Sequence, residues 1–234
     1  MELVISLIAS LALALLLRKP IKKYPIVFYV IAVAVDVLFL TNVLFDVQRD
    51  VAIAGYPYVV RCLVGFSLFT IVMYVGALGD KNRVRHMLMP IRGELSVIAC
   101  ILTFGHVINY LNSYIEDILG GFFGMPVSMV ASLVVSAILI ILLVPLAVTS
   151  LNSVKSRMNK ASWKTLQKAA YVFYVLTFIH ILLMLIPTFS TSAQRATVSM
   201  VIYGVILVVY VALRTRKAMI DKQHDAQQAQ TETN

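Results

Sequence analysis

The sequence predicts an all-α integral membrane protein, a bundle of about seven transmembrane helices. Three observations carry that expectation. The 234 residues are 60% hydrophobic and 13% charged, with mean hydropathy +0.89, more apolar surface than a water-soluble domain of this size can bury. Apolar runs of spanning length recur along nearly the whole chain. The basic residues fall in alternate loops between those runs, the pattern of positive-inside topology.

The runs lie near 3–17, 26–45, 58–78, 95–114, 127–150, 169–187 and 196–213. Glu2 precedes the first run, and Arg18, Lys19, Lys22 and Lys23 follow it. A secretory signal peptide has its basic residues first, so this run reads as a retained span starting outside. The second run carries Asp36 near mid-membrane, where an acid is costly and a functional candidate by default. It can relay protons, pair with Arg61 or face a quinone. The third run has Arg61 near its outer end, able to meet an anionic cofactor group or to snorkel to the interface.

Lys81, Arg83, Arg85 and Arg92 separate the third and fourth runs, and Lys155, Arg157, Lys160, Lys164 and Lys168 separate the fifth and sixth. Arg214, Arg216, Lys217 and Lys222 follow the seventh. With the first cluster, 17 of the 20 basic residues sit in alternate loops, leaving Arg49, Arg61 and Arg195 for the other side. The expected topology is multi-pass in the cell inner (plasma) membrane, N-terminus outside and C-terminus cytoplasmic. The net charge of +9 is therefore a topology signal and not a nucleic-acid footprint.

Pro126 suits the first turn of the fifth span and Pro187 the end of the sixth. Pro145 makes a kink plausible late in the fifth. Ser162 is a candidate N-cap for a helix leading into the sixth, beside Trp163, a residue favoured at membrane interfaces. Residues 214–234 are polar and read as a disordered cytoplasmic tail. Cys62 and Cys100 fall in different apolar runs and read as buried thiols.

The sharpest functional clue is a pair of histidines. His86 and His224 lie in polar segments, whereas His106 and His180 lie inside apolar runs. Both of those runs follow a basic loop and so travel in the same direction. His106 is fourteen residues past Arg92 and His180 twelve past Lys168, rises of roughly 21 and 18 Å at ~1.5 Å per residue. The two rings are expected level within about one turn, in the outer half of the membrane. A lone intramembrane histidine most often bonds between helices; two at matched depth favour shared ligation. Protein-built zinc or copper sites want three or four ligands, and none beyond the pair is at this level. A haem supplies four nitrogens and needs two axial ligands. Thr177, three residues before His180, is a candidate to orient its ring.

The stretch LAVTSLNSVKSRMNKASWKTLQKAAYVFYVLTFIHILLML resembles the ferric reductase-like transmembrane domain family. The likeness is strongest to the branch serving as haem-binding membrane subunit of the periplasmic methionine sulfoxide reductase system. Thr149-Ser150, Trp163, Leu166, Tyr171 and His180 fit that branch's pattern in order and spacing, and upstream Arg92 and His106 fill its Arg-to-ligand spacing. The resemblance covers residues 26–213 as a six-helix core, with 1–25 as an additional N-terminal helix and basic loop. It implies that His106 and His180 ligate one haem b near the outer face, with Arg61 available to a propionate. Relatives such as the NADPH oxidases hold a second, inner haem through one position on the fourth span and one on the sixth. Those positions are Arg92 and Gln167 here, so one haem is expected, and a flavin or quinone is an option for the inner side.

The resemblance further implies a b-type cytochrome, an electron-transfer subunit of an oxidoreductase system and not a complete enzyme. Its donor would be quinol or a reductase. Its acceptor would be an extracytoplasmic reductase, a flavoprotein or ferric iron. The competing class is a proton-coupled membrane transporter using His106, His180 and Asp36. Membrane lipid is a partner in either case, and nucleic acid in neither.

Overall fold

The computed structural model describes residues 2–41 and 55–232, and side chains as far as 223. Among the described residues, seven apolar helices form a bundle: α1 (Glu2–Leu16), α2 (Pro25–Leu40), α3 (Leu63–Ala77), α4 (Arg92–Leu119), α5 (Val127–Ser150), α6 (Ala169–Leu185) and α7 (Thr188–Glu232). No strand occurs among the described residues. The protein is an all-helical membrane bundle. α4, α5, the Lys160–Leu185 stretch containing α6, and the Thr188–Gln223 part of α7 are long and apolar enough to cross a bilayer. α1, α2 and α3 are apolar but shorter, at 15, 16 and 15 residues. Exposed Val201, Val205 and Val208 repeat along one face of α7, the character of a lipid-facing surface.

α3 is the hub. It packs against α1, α4 and α7, while α4 also meets α2 and α5, and α6 lies between α5 and α7. Without a hydrophobic drive between helices in lipid, small and hydroxyl residues mark the packed faces. On α3 the buried residues include Gly65, Ser67 and Thr70. Ser67 meets Ser6 of α1 at 2.9 Å, and Tyr174 of α6 donates to Thr70 at 3.2 Å. Aromatic rings fill the α3–α6–α7 seam, with Phe66 edge-on to both Phe178 and Tyr203.

Several local expectations need correcting. The third run was expected to be helical from about residue 58, but Cys62 adopts a left-handed conformation (φ 59, ψ 25) and α3 starts after it. Arg61 therefore sits in the preceding turn. The second run was expected to reach 45; α2 ends at Leu40, and residues 42–54, Arg49 among them, lie outside the described residues. Asn159, not Ser162, caps the helix leading into the sixth span, its side chain accepting from the Ala161 N–H at 2.8 Å. Pro126 stands at the N-cap of α5, one place before the first turn. Pro145 lies inside α5, and its carbonyl accepts the Thr149 hydroxyl at 2.7 Å.

The tail expected to be disordered continues α7 as helix to Glu232, beyond one non-helical residue, Ser192. The physical reason is composition: beyond Arg214 the chain has no Gly or Pro and is rich in Ala, Gln and Lys, all strong helix formers. An i,i+4 pair, Lys217–Asp221 at 3.2 Å, adds support. Lys217 also reaches Asp80 beyond α3 at 3.4 Å, and Arg85 meets the same carboxylate at 3.0 Å.

Candidate functional site

α4, α6 and the turn before α3 bring His106, His180 and Arg61 to the wall of one cavity of about 710 Å³. That size suits a cofactor. Most of the remaining wall is apolar, from α4, α5, α6 and α7.

Each imidazole is tied down through Nδ1. His106 Nδ1 lies 2.7 Å from the carbonyl of Val60. A carbonyl only accepts, so Nδ1 carries the proton and the neutral ring keeps its lone pair on Nε2. His180 Nδ1 lies 2.8 Å from Ser132 Oγ and 3.1 Å from Ser136 Oγ. Ser136 donates its own proton to the Ser132 carbonyl at 2.8 Å, so toward His180 it accepts, and Nδ1 is again the protonated nitrogen. Both rings thus present the same tautomer. Fixing one nitrogen by a hydrogen bond so that the other can ligate is how proteins orient metal-binding histidines.

Arg61 faces the Glu2 carboxylate across 3.7 Å, with both side chains more than half exposed. Such a pair is weak, so the guanidinium at the cavity wall is open to a stronger anionic partner. Asp36 does not join this group. It is buried on α2, and a Cβ at Gly105 of α4 would collide with its carboxyl group. Its Oδ1 has no hydrogen-bond partner among the described residues, and the cation at the cavity is paired with Glu2 instead. Thr177, expected to orient His180, donates to its own helix at Phe173, 2.9 Å away.

The groups that do hold the rings were missed. The Val60 carbonyl leaves no sequence signal, being backbone. Ser132 and Ser136 left one: with Ser128 they repeat at i, i+4 and i+8 on one face of a largely apolar span.

A second cavity, of about 410 Å³, is lined by Arg92 and Gln167 together with Glu94, Trp163, Lys164 and Tyr174. Gln167 donates to the Thr149 hydroxyl at 3.2 Å, Arg92 to the Val72 carbonyl at 3.0 Å, and Asn152 to the buried Glu94 at 3.1 Å. Among the described residues no cluster of three or more His, Cys, Asp or Glu is assembled. The two cysteines are free thiols, Cys100 buried and Cys62 partly so, with Cys62 Sγ 3.4 Å from Thr103 Oγ1.

Comparison with known families gives a match to the ferric reductase like transmembrane component over residues 61–178. The chain belongs to this family. The matched stretch opens on Arg61, takes in His106 and both serines, and stops two residues before His180. An uncharacterized protein of Treponema pallidum (strain Nichols) is 33% identical over 222 residues, covering 94% of this chain and 61% of the relative. The chain thus spans about three fifths of that relative's length. No solved structure matches.

Proposed function

We propose that the protein is a b-type cytochrome subunit of the membrane, binding one haem through His106 and His180 and passing electrons to an extracytoplasmic acceptor. The observation that carries this reading is the matched pair of imidazoles. They come from two helices, line one cavity, and are each bonded through Nδ1 so that Nε2 is left to ligate. Two protein donors are too few for a bare metal centre and are the complement that haem requires. The residues present therefore fit the group. Arg61 would hold a propionate in place of Glu2. When bound, haem supplies a one-electron iron couple.

The chain's own residues do the rest. The Val60 carbonyl and the two serines fix the tautomers and raise the basicity of the ligating nitrogens. The apolar wall of the main cavity keeps water from the site. With the N-terminus outside, as the charge pattern favours, this cavity lies toward the outer face and the Arg92–Gln167 cavity toward the cytoplasm. The second cavity lacks a histidine pair, so one haem per chain is the reading. Its basic and aromatic wall suits a flavin or quinone through which quinol or a cytoplasmic reductase delivers electrons. The acceptor would be a periplasmic reductase such as one for methionine sulfoxide, a flavoprotein or ferric iron. The second reading, a proton-coupled transporter using His106, His180 and Asp36, is less well supported because Asp36, packed against Gly105, does not line the cavity that the two histidines share.

Oxidised and dithionite-reduced spectra of the purified protein test this reading. The expected result is a reversible low-spin b-haem spectrum; absence of haem absorption after expression with ample haem would overturn it.

A further inference from the structure

Toward the C-terminal end of α4 from His106, the helix carries a line of aromatic rings. His106, Tyr110 and Tyr114 repeat at i, i+4 and i+8, so they stack on one helix face. The His106 and Tyr110 centroids are 4.7 Å apart with the planes tilted by 50°. Tyr110 and Tyr114 are 6.1 Å apart and stacked, with 26° between their planes. All three line the main cavity. Eight residues of helix advance about 12 Å, which brings the line from the histidine to within a turn and a half of the last residue of α4, Leu119. The other α4 side chains on this part of the wall are the aliphatic Val107, Leu111 and Ile118.

We propose that Tyr110 and Tyr114 are positioning residues for electron exit, coupling the His106 imidazole to the rim of the cavity at the end of α4. This rests on the haem reading above. With haem held by His106 and His180, the site would supply one electron, its iron going from ferrous to ferric, and a soluble acceptor of the ferric-chelate class would be reduced by that one electron, with no proton transferred. The rings act through their π systems, which mediate electronic coupling better than the aliphatic chains beside them. A phenol is too hard to oxidise for a b-type haem to use it as a true intermediate, so no tyrosyl radical forms and the hydroxyls are dispensable. Phenylalanine therefore serves in either place, and leucine does not.

The experiment is stopped-flow oxidation of the reduced holoprotein by ferric-EDTA, with rate constants taken per reduced haem so that partial haem loss does not enter. Haem band positions and midpoint potential are recorded for every variant. Tyr110→Leu and Tyr114→Leu are expected to slow oxidation severalfold while band positions and potential stay at wild-type values. Tyr110→Phe, Tyr114→Phe and the same-face control Ile118→Ala are expected to keep the wild-type rate. Wild-type rates in both leucine variants would overturn the proposal, as would equal slowing in the phenylalanine variants or slowing that merely follows a shifted potential. A wild-type protein without haem would defeat the functional reading itself, whereas full haem with unchanged leucine-variant rates would defeat only the aromatic path.

Discussion

Replacing Ser132 and Ser136 by alanine probes the His180 side of the site, where the shorter orienting contacts are to side chains. His106 is held by a backbone carbonyl that no substitution removes. In the double variant the His180 Nδ1–H loses acceptors at 2.8 and 3.1 Å and keeps only the long contact to the Ser132 carbonyl at 3.4 Å. Ser132 is almost fully buried, so water does not readily replace it. A buried donor left unsatisfied costs about 1–3 kcal/mol; with the long carbonyl contact remaining that is the upper bound, roughly 5- to 150-fold in haem affinity at 1.36 kcal/mol per decade. The range agrees with the 10–100-fold typical for outer-shell partners of metal ligands. Each single variant keeps one acceptor and should lose much less. Haem transfer to apomyoglobin, followed spectrally, gives the relative affinities. Ser199→Ala, on the cavity wall contributed by α7, is the control. Wild-type haem affinity in the double variant, or an equal loss in Ser199→Ala, would refute the reasoning.

Other outcomes follow from the same geometry. Gly105→Ala places a Cβ onto the Asp36 carboxyl group and should cost about 1–3 kcal/mol by overpacking; thermal denaturation in detergent should show the loss reduced in the Gly105→Ala, Asp36→Ala double variant. Cys62 holds a left-handed backbone (φ 59) that costs an L-residue roughly 1–2 kcal/mol. Cys62→Gly should therefore be neutral or stabilising despite losing the thiol contact, and the β-branched Cys62→Val clearly destabilising. Lys217 first, through its hydrogen bond and charge, and then Arg85 hold the Asp80 carboxyl below its ordinary range. A carboxylate so depressed stabilises above its ordinary value, and the contribution is lost as pH falls through the lowered one. The melting-temperature difference between wild type and Asp80→Asn should be small and salt-sensitive at neutral pH and vanish in acid.

The bundle, and the meeting of His106 and His180 at one cavity, were legible because each has a strong one-dimensional signature. Spanning runs and alternating charge place helices, and a costly polar residue in an apolar run marks a site. The central place of α3 was not legible from hydropathy, since lipid and protein neighbours are equally apolar. Gly65, Ser67 and Thr70 carried that information, because close helix approach in lipid selects small and hydroxyl residues. The left-handed Cys62 had no signal, as nothing in its side chain favours that conformation. At the cap, Asn159 and Ser162 are both good N-cap types, and only the backbone geometry decides between them. Asp36 was visible as an anomaly, but its position beside Gly105 and away from the cavity depends on how α2 packs on α4, which no local pattern records.

The central claim is a single haem held by His106 and His180. The most direct measurement is pyridine haemochrome content per chain in the wild type and in His106→Ala and His180→Ala. One haem in the wild type, with low-spin bis-histidine ligation lost in each variant, is the predicted result. Two haems per chain, or wild-type haem content and spectra in both variants, would contradict it.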